Sequence, residues 1–335
     1  MKRIIPLDEI VPCGTKVSIG GSEWAFGDFI KQGGTGIVYA VDETRAPFRH
    51  GVIKILRPDR QSAAESFDRE IVRLRERIAG ERGPEFFGAG TFRGQPCVVM
   101  RRGETVPDGM GIREALRFVD DLADGLMAMK SNGYCHGDVK RINLCLFDGR
   151  AGILDLGSAR RIVPDGSSEE VTYTPGYAAP EQTDGASAAP WFDVYGAAVT
   201  LNEILGQPAL AVYSPAIRAG MDLRPGKRLS SAADFAAAMH DCHKEYRRQR
   251  AFSILVRVVT HSLVAALVAA LFIFAHHTTT ICLRRRDDMR TFRGREIQSQ
   301  AEYICGEGCK ALGDLSNAVQ FLERALKDGY RVKSE

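Results

Sequence analysis

The sequence has almost no excess charge of either sign: 45 Lys and Arg stand against 42 Asp and Glu, a formal net of +3 over 335 residues. That small surplus is spread along the chain, so the basic stripe of a nucleic-acid binder is missing and nucleic acid is not an expected partner. Clustered cysteines are missing too. Cys13, Cys97, Cys135, Cys145, Cys242, Cys282, Cys305 and Cys309 are scattered, mostly within apolar runs where a reduced thiol packs as a small hydrophobe. This pattern fits a reducing, cytoplasmic setting for residues 1–250. The opening MKRIIPLDEIVPCG has neither the long apolar core nor the small-residue cleavage site of a secretory leader, so none is expected. His240, Cys242 and His243 have no fourth ligand nearby and read as solvated residues at a helix end, not as a metal centre. Nor is the composition that of a disordered or fibrous chain. With 44% hydrophobic and 26% charged residues, the protein can bury one large core and has length left for extra segments.

The hydrophobic pattern changes period along the chain. From residue 20 to about residue 105 short β-like runs (WAFGDFI, GIVYAV, GVIKIL, PCVVM) surround one charged helical segment, SAAESFDREIVRLRERI. From 112 to 245 the pattern is mainly helical, interrupted by HGDVKRINLCLFDGRAGILDLG and by a Gly/Ser/Pro-rich stretch before Ala179-Pro180-Glu181. The expected class is α+β with two lobes, a β-rich first and an α-rich second. Residues 1–20 read as an N-terminal extension and 21–243 as the domain itself.

One long apolar run follows. From Val258 to Ala275 His261 is the only strongly polar residue, and the stretch approaches the about 20 apolar residues that a spanning helix needs. A single transmembrane helix over 251–276 is expected, with a buried core helix or an amphipathic surface helix as the alternative because Arg257 and His261 interrupt its first half. Residues 298–332 read as a helical hairpin weakly similar to a tetratricopeptide unit, with a possible protein partner for this tail. One such unit does not bury its own face, since repeats need about three. Basic residues flank the run on both sides, so charge does not orient it.

Several chemistry-bearing groups occur in order. Lys31-Gln-Gly33-Gly34-Thr35-Gly36 lies between two strand-like runs, where glycines let backbone amides approach phosphate oxygens; alone it would equally read as a hairpin turn. Lys54, inside Val52-Ile53-Lys54-Ile55, is an ammonium among apolar residues that needs an anionic partner. Glu70, four residues before Leu74 on one helical face, is the natural one. His136-Gly-Asp138-Val-Lys140-Arg-Ile-Asn143 follows, then Asp155-Leu-Gly twelve residues after Asn143.

This ordered set resembles the protein kinases of the eukaryotic (Hanks) type found in bacteria, over about Glu23 to His243. The resemblance implies a two-lobed kinase fold that binds ATP and Mg2+. It also implies transfer of the γ-phosphate to serine or threonine of a protein substrate. On the matching residues, Asp138 would be the catalytic base, Lys140 would neutralise the transferring group, and Lys54, oriented by Glu70, would hold the phosphates. Asn143 and Asp155 would coordinate magnesium. Gly33, Gly34 and Gly36 would cover the phosphates, and Val38, Val52, Met100 and Cys145 would line the adenine pocket. Lys140 and Thr174, the latter within Thr174-Pro-Gly-Tyr-Ala-Ala-Pro-Glu181, resemble the serine/threonine branch. Asp193 matches the residue that braces the catalytic loop, and Arg228 the one that pairs with Glu181. Since ATP is cytoplasmic, the implied location is a single-pass membrane protein with its kinase domain in the cytoplasm.

Departures are specific. Lys31 stands where the loop's first glycine usually stands. Gly137 replaces the arginine that pairs with a phosphorylated activation loop, which lowers the expected importance of Ser167, Ser168 or Thr172 as switch sites. Between Gly206 and Ser230 the chain is short for the family. His-Gly-Asp also occurs in aminoglycoside- and choline-type phosphotransferases, which lack the 174–181 element, so a small-molecule kinase is a rival reading. A nucleotide-binding pseudokinase scaffold on the membrane is another.

Overall fold

The computed structural model describes residues 11–163 and 173–290, with the isolated positions 313 and 316; side chains beyond 284 are outside the description. The expected hairpin at 298–332 and the candidate switch residues Ser167, Ser168 and Thr172 lie outside the described residues. The chain divides into two units, 1–247 and 248–335.

In the first unit, strands β1 (Lys16–Ile19), β2 (Ser22–Gln32), β3 (Gly36–Glu43), β4 (His50–Leu56), β5 (Phe86–Phe92) and β6 (Gln95–Arg101) form one antiparallel sheet in the order β1-β2-β3-β4-β6-β5. Strand β1 falls within the stretch expected as an extension, and Val11 belongs to the same core. Alternation gives the sheet two different faces. Trp24, Phe26, Tyr39, Val41, Ile53, Ile55 and Val99 make an aromatic-rich core on one, with Trp24 stacked on Phe87 at 5.4 Å. Helix α1 (Ala64–Arg75) lies in the β4–β5 connection and buries Phe67, Glu70 and Leu74, spaced for one helical face.

The remainder of the first unit is mainly helical. After β7 (Glu104–Thr105) come α2 (Ile112–Ser131), β8 (Tyr134–Cys135), β9 (Leu144–Phe147), β10 (Arg150–Ile153), β11 (Arg160–Arg161), α3 (Pro180–Thr183), α4 (Pro190–Ile204), α5 (Gln207–Gly220) and the start of α6 (Ala232–Arg290). Helix α2 begins at Gly111, whose N–H donates to the Glu114 side chain at 3.0 Å. Its buried residues, with those of α4 and α5 and with Phe235 and Met239, form one core that also takes in Leu56, Phe67, Val98 and Met100. This β-rich then α-rich order is the expected one.

In the second unit, α6 carries an 18-residue window of mean hydropathy 2.4 with none of it buried. Phe252, Leu255, Val259, Leu263, Leu267 and Phe272 are exposed. This helix is long and apolar enough to cross a membrane. It begins before the expected 251 because no glycine or proline interrupts residues 232–290.

Candidate active site

The roof of the site is the sheet face opposite the aromatic core. Lys31 pairs with Val38, Val38 with Lys54, and Lys54 with Val98; one register step away, Ala40 pairs with Val52 and Val52 with Met100. Directly opposed residues in an antiparallel ladder share a face, so both rows look the same way. Lys54 Nζ donates to both Glu70 carboxylate oxygens, at 2.8 and 2.6 Å, and to Asp155 Oδ1 at 3.1 Å. Burial works against the charge on Lys54, but the Asp155 and Glu70 carboxylates outweigh it and raise its pKa. The same ammonium holds the Asp155 carboxyl below its usual range, against burial.

The glycine-rich turn closes where Gly33 N–H donates to the Gly36 carbonyl at 2.8 Å. Arg57 anchors it, donating to the Gly33 carbonyl at 3.1 Å while Asp59 holds the guanidinium at 2.9 and 2.6 Å. A Cβ on Gly36 would stand 3.0 Å from Lys54 Cγ, whereas one on Gly34 would meet nothing within 4 Å. Only the first position therefore requires glycine for space; the second leaves backbone open. Beneath the sheet's exit, Gly103 passes so close to Cys145 that an added Cβ would lie 2.6 Å from its Sγ. Cys145 is buried, which pushes its thiol up to about 12.

The floor is the loop between β8 and β9. Asp138 Oδ2 accepts from Lys140 Nζ at 2.6 Å and from Asn143 Nδ2 at 3.1 Å, while Asn143 Nδ2 also donates to the Asp138 carbonyl at 3.0 Å. The other oxygen, Oδ1, is buried and has no hydrogen-bond partner among the described residues. Lys140 Nζ also meets Thr174 Oγ1 at 2.5 Å. Two devices hold the loop. Asp193, buried on α4, accepts from the N–H groups of His136 and Gly137 at 2.8 and 2.7 Å, and its burial raises its pKa. His136 Nε2 donates to the Leu154 carbonyl at 2.9 Å while Nδ1 accepts from Asp138 N–H at 3.2 Å, which fixes the tautomer. Asp155 itself sits in the left-handed backbone region, φ 59°.

A lysine–glutamate–aspartate contact above an aspartate, lysine and asparagine group can bind a polyanion and activate a hydroxyl. The family described as Protein kinase domain matches residues 103–225. Over that stretch the chain is similar to the protein kinases. It is 31% identical over 192 residues to serine/threonine-protein kinase pkn2 of Myxococcus xanthus, covering 52% of this chain and 23% of that protein. It is 29% identical over 194 residues to the probable serine/threonine-protein kinase pknA2 of Bifidobacterium longum, at 52% and 25% coverage. A 92-residue stretch is 34% identical to cyclin-dependent kinase F-3 of Oryza sativa. The chain spans about a quarter of the length of the bacterial relatives it matches.

The site brings together Lys54, Glu70 and Asp155, and separately Asp138, Lys140 and Asn143. Val38, Val52 and Met100 share the roof face, and Cys145 lies by the connection from roof to floor. Arg228 forms the expected two-point contact with Glu181, at 2.6 and 3.1 Å. Other contributors escape sequence reading. Arg73 Nη1 donates to the carbonyls of Leu156 and Gly157, at 2.9 and 3.1 Å, tying α1 to the Asp155 loop; its position three residues after Glu70 puts it on the same helical face but names no partner. Gln182 donates to the Gly137 carbonyl at 2.6 Å. Gly137 adopts φ +75°, where glycine is unstrained, and a Cβ there would meet nothing nearer than 3.5 Å.

Proposed function

We propose that this chain is an ATP- and magnesium-dependent serine/threonine protein kinase, anchored by one membrane-spanning helix with its kinase domain in the cytoplasm. The observation that carries the reading is the asymmetry of Asp138: one carboxylate oxygen is engaged by Lys140 and Asn143, and the other is buried without a partner among the described residues. An acceptor hydroxyl supplies the missing donor. Asp138 Oδ1 then orients that oxygen toward the γ-phosphate and accepts its proton as transfer proceeds. Lys140 offsets charge on the transferring group, and Lys54, kept charged by its carboxylates, holds the phosphates in line.

The oxygen donors fit a hard cation. Asn143 spends its amide NH2 on Asp138, which leaves its carbonyl oxygen to offer, and Asp155 carries a second oxygen besides the one on Lys54. Magnesium held there would neutralise phosphate charge. Gly33 and Gly34 leave backbone room above it, and the adenine would lie against Val38, Val52, Met100 and Cys145. The small-molecule rival rests on Gly137 alone, and the Glu181–Arg228 contact and the Asp193 brace favour the protein kinase. Serine or threonine as acceptor is supported by Lys140 bridging Asp138 and Thr174, and by the names of the bacterial relatives.

The test is transfer of radiolabelled γ-phosphate by the purified full-length chain, wild type and Asp138→Asn side by side, followed by phosphoamino-acid identification. Label on serine or threonine in the wild type alone is expected; equal label in both would remove Asp138 from its role. The anchor is tested by carbonate washing of membranes, which should leave the chain in the pellet.

A further inference from the structure

Lys31 lies near the end of β2 and shares its cross-strand row with Val38 and Lys54. Residues of one row stand on one face, so its side chain leaves the sheet on the Lys54 side, away from the aromatic core. The ammonium ends 3.5 Å from the carbonyl oxygen of Ile142, in the floor and next to Asn143. The residue as a whole is exposed, yet its pKa is lowered, first by burial and then by Lys54 and Lys140, with Asp155 pulling the other way. No ion pair to Lys31 occurs among the described residues, and the single carbonyl contact is at the long limit of a hydrogen bond. A cation crossing a cleft, crowded by two other lysines and given no carboxylate of its own, is matched by an added anion.

We propose that Lys31 is a third phosphate-binding lysine of the nucleotide site, reaching from the roof to the catalytic loop and closing on the terminal phosphate of ATP. The inference deepens the kinase reading above and rests on it. Where the family usually places glycine, this chain places a charge that gains a partner only when a polyphosphate lies between roof and floor. Anionic oxygens replace the Ile142 carbonyl and exchange a long contact with a neutral acceptor for a short one between opposite charges. The effect is selective for nucleotides by phosphate count, and it is separate from the Lys54–Glu70 contact, which is complete without a ligand.

The test is calorimetric titration of the full-length chain with ATP, ADP and AMP in the presence of magnesium. Lys31→Met should weaken ATP binding about tenfold, equivalent to about 1.4 kcal/mol, weaken ADP less and leave AMP unchanged, while Lys31→Arg should retain most of the ATP affinity. ATP binding by Lys31→Met within about twofold of wild type, tighter binding, or an equal loss for all three nucleotides would overturn the inference while leaving the kinase reading intact. A wild-type chain that binds no nucleotide would defeat both.

Discussion

Roof and floor hold their functional groups by different means. In the roof, Lys54, Val38, Val52 and Met100 are aimed by strand register, a backbone property shared across a ladder. In the floor, Asp138, Lys140 and Asn143 sit on an irregular loop whose shape depends on side chains from elsewhere, above all Asp193, more than fifty residues further along the chain. A ladder survives the loss of one side chain, since its hydrogen bonds belong to the main chain. A loop fixed by side chain to backbone bonds does not, because each lost acceptor leaves a buried N–H unpaired. Ligand binding and structural integrity should therefore separate in the roof, whereas in the floor loss of the brace should cost structure and activity together.

The most severe test of that contrast is Asp138→Asn, which should reduce phosphoryl transfer about a thousandfold while the ATP dissociation constant stays near wild type. Loss of nucleotide binding as well would tie the two halves more tightly than their contacts imply. Asp193→Ala comes next. It strands two buried N–H groups at about 1–3 kcal/mol each, so the thermal midpoint should fall by several degrees and activity should vanish with it; a stable, active variant would remove the brace. Glu70→Gln should raise the KM for ATP about tenfold and lower the midpoint less than Asp193→Ala does, because Lys54 keeps Asp155 at 3.1 Å. Gly36→Ala forces a Cβ to 3.0 Å from Lys54 Cγ, and a severalfold loss of ATP affinity with an unchanged midpoint is expected from calorimetry and melting. The smallest effect lies far from the cleft. Arg49 hydrogen-bonds Glu43 and lowers its pKa from 4.5 to about 2. A depressed carboxylate contributes stability above its unfolded pKa and loses it as pH falls toward the folded one. Melting should therefore weaken between about pH 4.5 and pH 2, and Glu43→Gln should flatten that slope.

Sequence reading reached some of this and not the rest for physical reasons. The runs around Phe26, Tyr39, Ile53 and Val98 alternate or stay apolar, so their strands were legible, as was the helix carrying Glu70. The run Phe86–Phe92 was not, because Gly88 and Gly90 erase its alternation. Those glycines admit strand β1: a Cβ on Gly88 would stand 2.6 Å from Gly20, and one on Gly90 would stand 2.8 Å from Ile19. In the site, Asp193 and the Glu181–Arg228 contact were legible through ordered motifs. Arg73 and Gln182 act through backbone carbonyls, which carry no residue identity, so nothing in the letters points to their partners. Lys31 was visible only as a departure from glycine; its direction came from the register.

The close passage of Gly103 over Cys145 has a consequence for labelling. A thiol whose pKa is pushed up to about 12 stays protonated at neutral pH and reacts poorly with electrophiles. Cys97 and Cys135 are buried as well, with thiol pKa values that are also raised, whereas Cys13 is exposed. Among the described cysteines, a maleimide dye should mark Cys13 first, and a fluorophore attached there would report on the outer sheet while leaving the sulfur beside Gly103 untouched.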